Sequence, residues 1–423
     1  MKNGNDMQKT QINLDSEIGK LNAVMVHRPG REIENMTPAT AAEVLYDDIL
    51  NLQLAVREHD QLTGVLRRVA DVYEFEDLLQ DTLADERMKG LLIDELVTLY
   101  DCVELAAELK ATDNSELAPQ LLQGTPMRKD SLEKFLSPLR HAIPPLPNAF
   151  FTRDAVMAVN ERMIIGSMAF RARYAEALLL KAIFKYHPGI RSDGFYFDGT
   201  SNTSQKITIE GGDLLVLRDD LIMIGYSERT TARGIDTLMR DIAEKGGVQN
   251  FIVVEIPKSR ATIHLDMIFT MADRDACAVF SPLITGMHKC RAFHVQFEQR
   301  QVKRIVEYPG VLEALRTQGL DLRPIACGGD DELRQEREQW SSGANFFAMA
   351  PGHIIGFEHN QATAEELAKN GFEIVTADQL IREDRSLTPG HPTLVTMQGA
   401  ELSRGGGGCR CMTMPLNRDP FNC

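Results

Sequence analysis

One change of pattern constrains this chain more than any other feature. From about Asp77 to Arg140 it is almost wholly helical in character, rich in Leu, Ala, Glu, Asp and Lys and poor in β-branched residues. After Pro144-Pro145-Leu146-Pro147, short apolar runs of strand length alternate with medium helices to the end. The expected strands include Ala155–Val159, Met163–Gly166, Lys206–Ile209, Leu214–Leu217, Leu221–Ile224, Phe251–Val254, Met267–Thr270 and Ala276–Phe280. The expected helices include Arg173–Tyr186, Thr231–Lys245 and Ala362–Asn370. This α/β alternation admits a doubly wound sheet or a repeat of small sheets carrying one helix each. The helical stretch breaks at Thr112-Asp113-Asn114 and Gly124-Thr125-Pro126, and reads as several short helices inserted into another domain. Before it, Leu21–His27 reads as a buried strand and Ala41–Leu62 as a helix. The expected division is 1–76, an inserted helical unit 77–140, and 141–423.

Charge narrows the partners. The 423 residues carry a net charge of −15, which argues against nucleic acid and anionic membrane surfaces and suits a small cationic substrate. Met1 to Ser16 is polar, without the apolar core of a secretory signal, and no run is long enough to span a bilayer. Seven thinly spread cysteines fit free thiols in a reducing cytoplasm.

Several short segments carry chemistry. Gly405 to Gly408 precede Cys409-Arg410-Cys411. Four glycines build neither helix nor strand, so the run reads either as a loose tail or as backbone brought close to something small. His264 and Asp266, at i and i+2 of an extended segment, would face one side, or would be a surface His and a strand-end Asp. No CxxC or HExxH pattern accompanies them, so no metal is expected. Ile209-Glu210-Gly211-Gly212-Asp213 sets two carboxylates around paired glycines, as a polar turn or a close-approach site. Phe150-Phe151-Thr152-Arg153-Asp154 reads as a buried aromatic pair with an ion pair, and Ser227-Glu228-Arg229-Thr230 as a helix cap.

Each segment alone is weak, but their order is specific. PNAFFTRD, IEGGD, SERT, IHLD and GGGCRCMTMPL resemble arginine deiminase of the guanidine-modifying (pentein) superfamily. LNAVMVHRPGREI, LYDDIL and REQWSSGAN extend the resemblance over nearly the whole chain. It implies a five-fold pseudo-symmetric α/β propeller with an inserted helical bundle. It also implies Cys411 as nucleophile, His264 as general acid and base, Asp154 and Asp266 as a clamp on the guanidinium, and Glu210 orienting substrate and imidazole. Asn148, Arg173 and Arg229 would hold the substrate α-carboxylate, and Phe151 would wall the pocket.

The implied chemistry is coherent. A guanidinium is planar, permanently charged and has donors in a fixed fork, which two carboxylates grip well. Its carbon is a poor electrophile, so attack calls for a thiolate, and a bound cation favours that form. Without it, three buried carboxylates would be strained. The implied reaction is hydrolysis of free L-arginine to citrulline and ammonia through a covalent thiouronium, without cofactor. The alternatives are an agmatine deiminase, an amidinotransferase or a non-catalytic arginine binder. A homodimer or tetramer is expected. Family members often carry an arginine deeper in the terminal loop where this chain has glycine, which leaves open whether Arg404 or Arg410 gates the cysteine.

Overall fold

The computed structural model describes residues 9–201, 206–382 and 385–421; Cys423 and the first half of the polar start lie outside them. The fold is mixed α/β, and five sheets of three to five strands share one construction. Each has an antiparallel pair and a third strand parallel to it. A parallel neighbour needs a crossover, and a helix supplies it each time.

The first sheet centres on Leu21–Val26, between Met414–Arg418 and Asp71–Glu74, so the two ends of the chain pair together. Its crossover helix is Leu52–Leu66. The second sheet joins Val156–Val159, Arg162–Ile165 and Phe195–Asp198 through helix Tyr174–Tyr186. The third joins Leu214–Arg218, Leu221–Tyr226 and Asn250–Glu255 through helix Ala232–Glu244, and adds the hairpin Ala292–Glu298 and Gln301–Tyr308. The fourth joins Phe269–Met271, Ala276–Val279 and Arg323–Ala326 through Val311–Thr317. The fifth joins Phe347–Ala350, His353–Phe357 and Thr393–Met397, with Glu373–Thr376 at its edge and helix Gln361–Lys369 in the crossover.

Local signals explain most boundaries. Thr231 caps Ala232–Glu244, its hydroxyl accepting from Gly234 N at 3.2 Å. Ile235, Leu238, Met239 and Ile242 line the buried stripe of that helix at helical spacing. The Ser227 cap expected from sequence is therefore replaced. Ser227 Oγ accepts from Arg229 N and Thr230 N and donates to Asp213.

Two further expectations shift. The helix expected over Ala41–Leu62 begins only at Leu52, where Asn51 Oδ1 accepts from Leu54 N at 3.1 Å. Upstream, Leu45 takes a left-handed φ of 73°, which no helix interior accommodates. The Lys206–Ile209 strand reduces to one isolated bridge between Ile209 and Ser167.

The expected helical stretch forms Phe75–Thr82, Glu86–Leu99, Ala106–Ala111 and Asn114–Gln123, with Asp85 and Asp113 as side-chain caps. Past Gln123 it departs from expectation: Thr125–Pro126 pairs as a strand with His141–Ile143, and only the five-residue helix Leu132–Leu136 remains. Leu78, Leu92 and Leu117 share one buried cluster with Leu178 and Ile183 of the second crossover helix. No described helix is long and apolar enough to cross a membrane.

Candidate active site

The loops that bring chemistry together occupy equivalent places in the fold. Asp154 lies just before Val156–Val159, Glu210 just before Leu214–Arg218, and Asp266 just before Phe269–Met271. Cys411 lies just before Met414–Arg418. Asp154 and Cys411 thereby line one cavity of about 240 Å³, together with Asn148, Phe151, Arg173, Arg229 and His264. Glu210 and Asp266 stand behind that lining, fully buried.

His264 Nε2 is 2.9 Å from Glu210 Oε2, and Nδ1 is 3.8 Å from Asp154 Oδ1. Burial alone would lower the imidazole pKa. The charge of Asp154, the hydrogen bond to Glu210 and the charge of Asp213 outweigh it and raise the value to about 9. Burial pushes Glu210 up, but Arg229 and His264 bring it down to about 2. At neutral pH this pair is an imidazolium and a carboxylate.

Cys411 Sγ lies 3.7 Å from Asp266 Oδ2. Burial, then the charges of Asp266 and Asp154, push its thiol pKa well above the ordinary value. Without a cation between those carboxylates, the sulfur keeps its proton.

The three carboxylates are not bare, as the sequence reading supposed. Arg173 Nη1 donates to Asp154 Oδ2, Arg229 Nη1 to Glu210 Oε2 at 3.4 Å, and Arg410 Nη1 to Asp266 Oδ2 at 2.9 Å. The strain is confined to single atoms. Asp154 Oδ1 and Asp266 Oδ1 are buried and accept no hydrogen bond among the described residues. Buried carboxylate oxygens without donors are costly.

Arg410 does not gate the site. Its guanidinium is buried behind Cys411, where Nε and Nη2 hold Glu17 at 2.9 and 3.0 Å. Arg404 lies at the cavity mouth, paired with Asp48 and Glu401. Arg173 also gives Nε and Nη2 to Glu176, at 3.0 and 2.8 Å, and so already faces two carboxylates. Arg229 keeps a buried Nε without a partner and lies 4.7 Å over the Phe170 ring. Asn148 Nδ2 donates to Val44 O at 2.8 Å, and its Oδ1 is left for another donor.

The glycines act by close approach. A Cβ on Gly407 would lie 2.5 Å from the Phe151 ring, and one on Gly212 would lie 2.5 Å from the His264 ring. Gly406 takes φ +86° with nothing near it. The terminal run is therefore a packed loop, and Cys409 turns away from the cavity, its sulfur 3.6 Å from Met397 Sδ. The six described cysteines are unpaired.

His264 and Asp266 reach the site by a different geometry from the expected strand. Leu265–Met267 is a single tight turn, and the strand starts only at Phe269. Asp213 holds that turn, its Oδ1 accepting from Leu265 N at 2.9 Å. Burial raises the Asp213 pKa to about 6. Asp154, Glu210 and His264 also place ligand atoms within 4.8 Å of one another, as an ion would require. Arg173 and Arg229 already supply positive charge to that trio. Sequence reasoning missed Glu17, Asn345 and the inward direction of Arg410. The REQWSSGAN segment contained Asn345, but nothing in its composition marked the amide as a contact to Cys411.

Fold and cavity together give a mixed α/β protein with one cysteine, one histidine and carboxylates gathered at a buried site. A family model described as arginine deiminase matches residues 42–418. An arginine deiminase of Oenococcus oeni is 30% identical over 439 residues, covering 97% of this chain and 98% of that one. One of Bacillus cereus (strain ATCC 10987 / NRS 248) is 32% identical over 433 residues, covering 97% and 99%. The chain belongs to the arginine deiminase family. Solved structures share the fold at lower identity. The amidinotransferase SxtG of Microseira wollei matches with TM-score 0.52 and 14% identity, over 97% of this chain and 98% of that one. The N-terminal domain of ArgZ, a cyanobacterial arginine dihydrolase bound to product, matches with TM-score 0.51 and 13% identity, over 94% and 98%.

Proposed function

We propose that this chain hydrolyses the guanidinium of free L-arginine to L-citrulline and ammonia, as a hydrolase of linear amidines. The observation that carries the reading is a pair of buried oxygens without a hydrogen bond among the described residues, Asp154 Oδ1 and Asp266 Oδ1, on the two carboxylates whose charges bear on the Cys411 thiol. A guanidinium between them supplies the missing donors and the positive charge that the thiol lacks.

The thiol proton then leaves to water, and the Cys411 thiolate attacks the guanidinium carbon to form a neutral tetrahedral adduct. The His264 imidazolium gives its proton to a terminal nitrogen, the C–N bond breaks, and ammonia departs. A cationic thiouronium remains on sulfur. Neutral His264 takes a proton from water, and the resulting hydroxide adds to the same carbon. The C–S bond breaks, the hydroxyl proton leaves to solvent, and citrulline is released with the thiolate. Glu210 keeps the imidazole oriented throughout.

Arg229 and the second Nδ2 proton of Asn148 would bind the α-carboxylate, Arg173 would hold Asp154 while facing that carboxylate, and Phe151 would wall the pocket. Selection against a substrate lacking the carboxylate follows from the unpartnered Arg229 Nε. The five sheets are read as blades of a pseudo-symmetric propeller, with 77–140 inserted as a helical unit; the repeated antiparallel-then-parallel pairing supports this. A homodimer or tetramer in a reducing cytoplasm is the proposed state. The exposed Leu132, Phe135 and Leu136 support the assembly, and the unpaired buried thiols support the compartment.

Purified protein incubated with L-arginine, with agmatine in parallel, tests the reading. Citrulline and ammonia in equal amounts from arginine, and neither ammonia nor a ureido product from agmatine, is the expected result. Arg229→Ala should cripple arginine turnover. Equal turnover of agmatine would overturn the assignment, and arginine binding without any product would favour a binder.

A further inference from the structure

Four strand-entry loops deliver Asp154, Glu210, Asp266 and Cys411 to the site; the fifth delivers Asn345. It lies two residues before Phe347–Ala350, the place that Asp154 holds before Val156–Val159. Its amide is buried and fully engaged. Oδ1 accepts from Arg410 N at 3.0 Å and from Cys411 N at 3.4 Å, and Nδ2 donates to the Asp266 carbonyl at 3.1 Å. One side chain thus ties the backbone of the nucleophile to the backbone of the clamp carboxylate.

The surroundings make Asn345 a rigid bracket. Thr270 Oγ1 donates to Ala344 O at 2.6 Å and accepts from Phe346 N at 3.3 Å, which fixes the chain on both sides of it. Gln339, in the preceding helix Glu332–Trp340, donates to Ala261 O at 2.5 Å and to Met267 O at 3.3 Å, and holds the His264 loop. Gly408 packs against the amide so closely that a Cβ there would lie 2.6 Å from Asn345 Oδ1.

Resting on the proposed deiminase reading, we propose that Asn345 is a positioning residue, which sets the placement of Cys411 Sγ against the Asp266 carboxylate. It does not itself line the cavity, which it meets only through Cys411 and Met267, and it makes no hydrogen bond to Asn148, Arg173 or Arg229. It therefore acts on the chemical step rather than on substrate capture. A nucleophile misplaced by about 1 Å costs about 100-fold in rate.

The test compares wild type, Asn345→Ala, Asn345→Asp and Gly408→Ala with L-arginine, counting active sites by stoichiometric alkylation of Cys411. Per active site, kcat should fall about 10- to 100-fold in each variant, with KM within about twofold. Asn345→Asp keeps the acceptor but loses the donor to Asp266, and adds a negative charge near the thiol. It should also shift the pH dependence of alkylation upward. Because Gly408→Ala disturbs the same contact from the opposite loop, the double variant with Asn345→Ala should be no slower than Asn345→Ala alone. Unchanged kcat per active site in Asn345→Ala or Asn345→Asp would overturn the assignment, as would a loss that appears only in KM. A wild type that makes no citrulline would instead overturn the deiminase reading on which the proposal stands.

Discussion

Arg410 Nη1 donates to Asp266 Oδ2 at 2.9 Å, while the rest of the same guanidinium grips Glu17. The residue next to Cys411 is thus a buried cation that holds one oxygen of Asp266, while the other, Oδ1, has no hydrogen bond among the described residues. Leu214 O accepts from Nη2 as well, at 2.7 Å, so the terminal loop is anchored to the third sheet. Removing this cation strands two buried carboxylates. Arg410→Ala should cost about 3–5 kcal/mol of folding stability. Arg410→Lys, which keeps the charge but not the fork, should cost less. Urea denaturation decides this, and a loss under about 1 kcal/mol for the alanine variant would contradict the buried network.

The His264–Glu210 pair has a defined pH window. The His264 pKa is raised to about 9, so its stabilising contribution is complete below the ordinary value of 6.5 and is lost as pH rises through 9. The Glu210 pKa is lowered to about 2, so its contribution is complete above 4.5 and is lost as pH falls through 2. His27, raised to about 10 between Glu32 and Glu74, adds a similar alkaline loss. The difference between wild type and His264→Gln isolates the site. That difference should shrink between pH 6.5 and 9, measured by denaturation at several pH values, and a constant difference would show that His264 is neutral in the folded state.

The raised Cys411 thiol predicts selective labelling. A neutral haloacetamide meets a protonated sulfur, whereas a cationic haloacetamidine brings positive charge between Asp154 and Asp266. Each unit by which that cation lowers the thiol pKa gives about tenfold more thiolate. The cationic reagent should therefore label Cys411 about 100-fold faster at pH 7, and Asp266→Asn should narrow the ratio. Peptide mass mapping reads the site, since Cys409 is buried against Met397. Equal rates for both reagents would rule out this electrostatic role.

The residues that converge at the candidate site were legible in the sequence because strand-entry loops carry their own local signals. Asp154, Glu210, His264, Asp266 and Cys411 each stand in a short polar or glycine-bearing segment between apolar runs, and the resemblance joined them. Periodicity misplaced the local geometry. His264 and Asp266 converge through a turn held by Asp213, and no i, i+2 argument contains that contact. The inward direction of Arg410 was hidden for a similar reason. Its partner Glu17 lies 393 residues away, and a buried ion pair at that separation leaves no mark on either segment. Helices 75–123 were read well because their caps and apolar spacing are local. Their shared core with Leu178 and Ile183 was not, because it depends on packing.

The four glycines offer a final contrast within one loop. Gly407 has ordinary backbone angles but no room, since a Cβ would press to 2.5 Å against the Phe151 ring and 3.0 Å against Cys411 Cβ. Gly406 has room but a left-handed φ of +86°. Gly407→Ala must displace the pocket wall or the nucleophile, so kcat/KM for arginine should fall at least about tenfold, by the same displacement argument. Gly406→Ala should cost about 1 kcal/mol of stability through backbone strain and leave kcat/KM nearly intact. Steady-state kinetics beside thermal denaturation separates the two. If Gly406→Ala proved the more damaging to catalysis, backbone freedom of the loop, rather than close packing at Phe151, would be what the nucleophile requires.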